Sequence, residues 1–147
     1  MTTHTAHEPD HFIRAGQRAE EWLDAVAAEL GTADRDHAYH LLRAWLHTVR
    51  DRIGVEPAAR FAAQLPMSVR GLFFDGWRPS RVPVKYDAEQ FLAAMAHEAR
   101  VTPEEVRRGA PAVTAALARG CSPGQLEHLL AQLPAPVRGL IVARRAT

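Results

Sequence analysis

AAQLPMSVRGLF (Ala62–Phe73) can be laid on LAQLPAPVRGLI (Leu130–Ile141) without a gap. Ala63, Gln64, Leu65 and Pro66 fall on Ala131, Gln132, Leu133 and Pro134, and Val69, Arg70, Gly71 and Leu72 fall on Val137, Arg138, Gly139 and Leu140. The offset is 68 throughout. Upstream, AEEWLDAVAAEL (Ala19–Leu30) falls on AEQFLAAMAHEA (Ala88–Ala99) at an offset of 69. Two collinear matches separated by a one-residue change of offset describe an internal repeat of one helical unit. The expected architecture is therefore all-α, with two tandem units packed into one compact helical domain.

The spacing of apolar residues supplies the elements. Phe12, Ala19, Trp22, Leu23, Val26 and Leu30 share one helical stripe, and Gly31 is a natural stop. Asp34 caps a second helix, with Ala38, Leu42, Trp45, Val49 and Ile53 on its stripe and Gly54 at its end. Pro57 and Pro66 each open a shorter helix, the latter carrying Val69, Leu72 and Phe73. Asp87 with Gln90, and Thr102 with Glu105, have capping-box spacing. Pro111 is expected to split the helix it falls in. Pro123 and Pro134 start the last two helices. The resulting division is a flexible tail over 1–11, a first unit over 12–74, a linker over 75–87 containing Pro79 and Pro83, and a second unit over 88–147.

Size and composition limit the function classes. The chain has 147 residues, 47% of them hydrophobic, enough for one core without staples. The lone Cys121 can form no internal disulfide, and no apolar run approaches the length of a membrane span, so a cytoplasmic setting with no membrane contact is expected. Net charge is +1, and the charge asymmetry between the two halves of the chain is mild, unlike the dense basic stripe of a dedicated nucleic-acid binder. Phosphate-cradling glycine loops and nucleophile elbows are absent as motifs, which leaves no cofactor and no catalytic residue to name.

The QLPxxVRGL block, followed in its first copy by FFDGW (Phe73–Trp77), resembles a prokaryotic family known as domain of unknown function 2267. The residues that carry the likeness are Gln64, Leu65, Pro66, Arg70, Gly76 and Trp77, with Gln132, Leu133, Pro134 and Arg138 in the second copy. AWLHTVRDR (Ala44–Arg52) is similar in style. The resemblance implies a small helical bacterial protein and supplies no activity.

Individual residues then sort by chemistry. His37, His40 and His47 are spaced along one helix as metal ligands can be, but lack a further ligand motif, so the expected reading is solvent-facing or half-buried histidines and no metal. Cys121 aligns with Ile53, which points to a core thiol. Trp77 and Arg78 in the linker form a candidate interaction anchor, or Trp77 folds back onto the body. Arg70 and Arg138, beside Gln64 and Gln132, sit at the edge of a stripe. They are expected to clamp the recurring carboxylates Glu20/Glu89 and Glu29/Glu98, with joint anion binding as the rival. The leading function is a non-enzymatic interaction module that receives a protein partner. Its alternatives are a nucleic-acid-associated protein using Arg100, Arg107, Arg108, Arg119, Arg144 and Arg145, and a metal or small-molecule sensor.

Overall fold

A computed structural model describes the backbone of residues 4–143 and the side chains of residues 10–143. The described residues form eight α-helices: α1 (His4–Leu30), α2 (Arg35–Arg52), α3 (Val55–Ala62), α4 (Met67–Phe74), α5 (Ala88–Ala99), α6 (Pro103–Gly120), α7 (Gln125–Leu130) and α8 (Ala135–Ile141). A short 3-10 turn over Pro79–Arg81 interrupts the connection between α4 and α5. No strand occurs among the described residues, and none of their helices is long and apolar enough to cross a membrane.

Most helix boundaries follow from local chemistry. Asp34 accepts from the His37 N–H at 3.1 Å, satisfying one of the orphan donors at the start of α2. Asp87 and Gln90 exchange reciprocal bonds of 2.8 and 2.9 Å at the start of α5, and Thr102 and Glu105 do the same for α6 at 3.1 Å each. The bonds from Thr102 hold the Glu105 carboxyl below its ordinary pKa. Gly31 ends α1 in a left-handed conformation (φ +68°) that other residues reach only at a cost.

Two expectations change. Pro111 does not divide its helix: α6 runs unbroken from Pro103 to Gly120 with Pro111 inside. Proline withholds one N–H from the helix ladder. Val106, Ala110, Val113, Ala116 and Leu117 are buried on either side of it, and this packing holds the helix together. α1 begins at His4, within the segment expected as the tail over 1–11. Finally, Phe12 belongs to the stripe of α1 by spacing but is 73% exposed, since no element of the described body stands opposite it.

The helices bury one continuous core. α1 packs on α2 and α6, α2 packs on α4, α5 and α6, and α8 packs on α5 and α6, while α3 meets α7. At the centre lie Trp45, Phe73, Phe91 and Met95. Two glycines set the spacing of α6 against α1 and α2. A Cβ on Gly120 would lie 2.6 Å from Cζ2 of Trp22, and a Cβ on Gly109 2.5 Å from Cδ2 of Leu41. α6 thus passes α1 antiparallel, with Gly109 near Leu30 and its last residue against Trp22.

Candidate functional site

Three helices leave an open groove on one side of the molecule. α1 contributes Ala19, Glu20 and Leu23, α2 contributes Tyr39 and Leu42, and α4 contributes Ser68, Val69, Gly71, Leu72 and Asp75 at its end. The groove holds about 450 Å³, within the range of sites that accept a ligand or a partner side chain. Its floor is aliphatic and its rim carries the two acids Glu20 and Asp75. Val69 and Leu72 were expected as a buried stripe; Val69 is buried, and Leu72 is only partly covered where it lines the groove.

Behind the groove wall lies a polar clasp that fixes α4. The last carbonyls of a helix have no intrahelical donor. Here α2 supplies donors from its buried face. His47 Nε2 lies 2.7 Å from the Leu72 carbonyl, and Arg50 Nη1 donates to the carbonyls of Phe73 (2.9 Å) and Asp75 (2.8 Å). The other nitrogen of His47, Nδ1, faces Glu98 Oε2 at 2.5 Å. Each ring nitrogen thus faces an oxygen. Arg43 completes the clasp, reaching Glu98 (2.9 Å) with one amino group and Asp75 (3.1 Å) with the other. Arg50 Nε also donates to Asp51 at 2.8 Å. Positive groups gathered at a helix C-terminus are favourably placed against its dipole.

This arrangement revises several sequence expectations. Of the three histidines, His47 is buried in the clasp, His40 bonds the Asp36 carbonyl at 2.7 Å, and His37 sits in a shallow hollow with Glu105 and Arg108. Among the described residues no three His, Cys, Asp or Glu side chains converge as metal ligands. The expected clamp of Arg70 on a carboxylate is not formed. Arg70 donates instead to the carbonyls of Ala62 and Leu65, each at 3.0 Å, and so caps the end of α3. The recurring acids go elsewhere: Glu20 joins Asp24 on Arg35, Glu29 meets Arg119, and Glu98 meets Arg43 and His47. A carbonyl pair eight and five residues upstream is within local reach, whereas those acids are already engaged by closer cations.

Arg138 takes a different place from Arg70. It lines a cleft of about 760 Å³ between α6 and α8 together with Arg107, Pro111, Pro136 and Leu140. Nothing in the structure explains why Arg138 departs from the capping role of its sequence counterpart. Gln64 is half-buried, and Gln132 makes a long 3.5 Å contact to the His128 carbonyl. Trp77 folds back, its ring 5.0 Å from that of Phe74, with a buried Nε1 that finds no partner among the described residues, while Arg78 stays exposed. The clasp was missed except for His47 and Glu98. Arg50 gave no signal, since a helical arginine looks solvated until its tertiary partners are known.

Cys121 closes α6 as a buried residue, as does its counterpart Ile53 at the end of α2. Burial pushes its thiol pKa up, so the reactive thiolate is scarce at neutral pH. The native thiol should resist alkylation at neutral pH and react only as the solution becomes strongly alkaline or the chain unfolds. Cys121→Val should be tolerated, whereas Cys121→Ser should lower stability by about 1–3 kcal/mol through a hydroxyl short of partners. Timed alkylation with mass analysis and urea melts of both variants check this.

An all-helical protein with an open, largely apolar groove and no group of three potential metal-ligating side chains among its described residues is the class these features define. Within that class, residues 19–140 match the family described as uncharacterized conserved protein, domain of unknown function 2267, and the chain belongs to it. No curated protein matches the chain.

Proposed function

We propose that the protein is a non-enzymatic helical interaction module of the bacterial cytoplasm that receives an amphipathic helix in the α1/α2/α4 groove. The observation that carries this reading is the groove itself: aliphatic along its floor, acidic at its rim and open to solvent, with one wall held by the His47–Arg50 clasp. A rigid apolar groove suits helix-in-groove recognition, in which residues at i, i+3, i+4 and i+7 of the incoming segment supply the anchors. The frame is read as two tandem units sharing one core. The equivalences α1–α5, α2–α6, α3–α7 and α4–α8 from the sequence repeat support this, as does the reciprocal packing of α1 on α6 and α2 on α5.

Gly71 gives a clean way to test the groove. It is exposed on α4, and a Cβ there would meet nothing within 4 Å, so a side chain can be added without disturbing the core. Selection of displayed peptides on the purified chain should enrich segments with helical apolar spacing. Gly71→Glu should weaken their binding by at least ~10-fold, or about 1.4 kcal/mol, at unchanged melting temperature. Failure to enrich such segments, or binding indifferent to Gly71→Glu, would remove the reading.

A further inference from the structure

The sequence repeat reaches the helix bounds themselves. Shifting α2 (Arg35–Arg52) by 68 residues gives Pro103–Gly120, the bounds of α6. The same shift carries Tyr39, Gly71 and Leu72, which line the α1/α2/α4 groove, onto Arg107, Gly139 and Leu140, which line the cleft between α6 and α8. On the reading of the frame as two units, the cleft is the counterpart of the groove. The charges of the two differ. In the first unit Asp75 pairs with Arg43 at 3.1 Å. The matching positions are Ala143 and Pro111, so the cleft keeps neither partner, and no acidic side chain lines it among the described residues. Arg70 spends its guanidinium on the Ala62 and Leu65 carbonyls. The guanidinium groups of Arg138 and Arg107 have no hydrogen bond or ion pair among the described residues, and both line the cleft.

We propose that this cleft is a second docking site, whose occupant is a partner peptide segment with an acidic side chain beside an apolar one. A carboxylate matches the planar fork of arginine with two parallel bonds, and here two such forks lie in one cleft without an acid of their own. Pro111 and the half-buried Leu140 supply apolar surface for the neighbouring side chain. Pro111 brings a further polar group. Proline has no N–H, so the carbonyl of Arg107, four residues before it, lacks its ordinary helical donor and can accept an amide N–H from the incoming backbone. Gly139 is exposed, and a Cβ there would meet nothing within 4 Å, so a second backbone can approach α8 at that point. No aromatic side chain lines the cleft, so single-stranded nucleic acid finds no stacking platform in it.

Selection of displayed peptides on the full chain carrying Gly71→Glu, which blocks the other groove, tests the proposal. The expected result is enrichment of segments that set Asp or Glu beside Leu, Ile or Phe. A synthetic copy of an enriched segment should bind the purified chain, and replacing its acid by the amide should weaken binding at least ~10-fold. Arg107→Gln, Arg138→Gln and Gly139→Glu should each weaken it by a similar factor at unchanged melting temperature. Failure to enrich acidic segments overturns the proposal, as does binding indifferent to all three substitutions. A ten-residue uridine oligonucleotide held as tightly as the peptide through the same arginines would replace the peptide as occupant and so overturn it too. Segments bound by the parent chain and lost only with Gly71→Glu would sink the cleft while leaving the groove reading intact.

Discussion

Arg50→Ala is expected to destabilise the protein by about 3–5 kcal/mol, the cost typical of removing one partner from a buried ionic network. Arg50 is only 4% exposed and makes three polar contacts at once. It donates to Asp51 and to two carbonyls at the end of α4. Alanine would leave both carbonyls without that donor and the helix end without its nearby positive charge. Arg50→Lys keeps the charge but cannot reproduce the fork, so it should fall between alanine and the parent. Because small domains hold only about 5–15 kcal/mol in total, the alanine variant should melt far below the parent or fail to fold. Urea titrations followed by far-ultraviolet circular dichroism measure this. A change under about 1 kcal/mol would show that the clasp is dispensable for stability.

The second large effect is expected at Trp45, which is completely buried in α2. Its indole N–H donates to the Thr114 hydroxyl at 2.9 Å, and that hydroxyl lies 2.6 Å from the Ile141 carbonyl, so one ring ties α2 to α6 and α8. Trp45→Ala should cost about 3–5 kcal/mol through lost burial and the cavity left behind. Trp45→Phe keeps most of the apolar contact and loses the N–H, and should cost less. Equal losses for the two variants in denaturant melts would locate the effect in the hydrogen bond rather than in packing.

Local chemistry made much of the fold readable. Asp34, Asp87 and Thr102 mark helix starts because a cap and its N–H partner lie within three residues of each other. Pro111 misled because proline is judged by its local cost, while the helix around it is held by buried neighbours from other elements. Phe12 misled in the opposite sense: periodicity reports which face is apolar, not whether anything stands opposite that face. The groove was hidden for the same reason, since Leu72, on the same stripe as the buried Val69, reads as core until it is seen to line an open surface. The clasp depends on Glu98 reaching His47 across 51 residues of sequence and on Leu72 reaching it across 25, pairings that no local spacing announces.

The antiparallel passage of α6 along α1 has a consequence for the birth of the chain on the ribosome. α2 follows α1 at once and covers part of it, but the surface of α1 around Trp22 receives its cover only when Gly120 has been made. Roughly 90 residues separate the end of α1 from that point, which at about 5–20 residues per second leaves the stripe waiting roughly 5–20 s. For that interval the nascent first half displays Trp22 and Leu30 to whatever apolar surface is nearby. This order of elements thus delays the burial of α1, and the half-made chain is the form most exposed to chaperones and to aggregation.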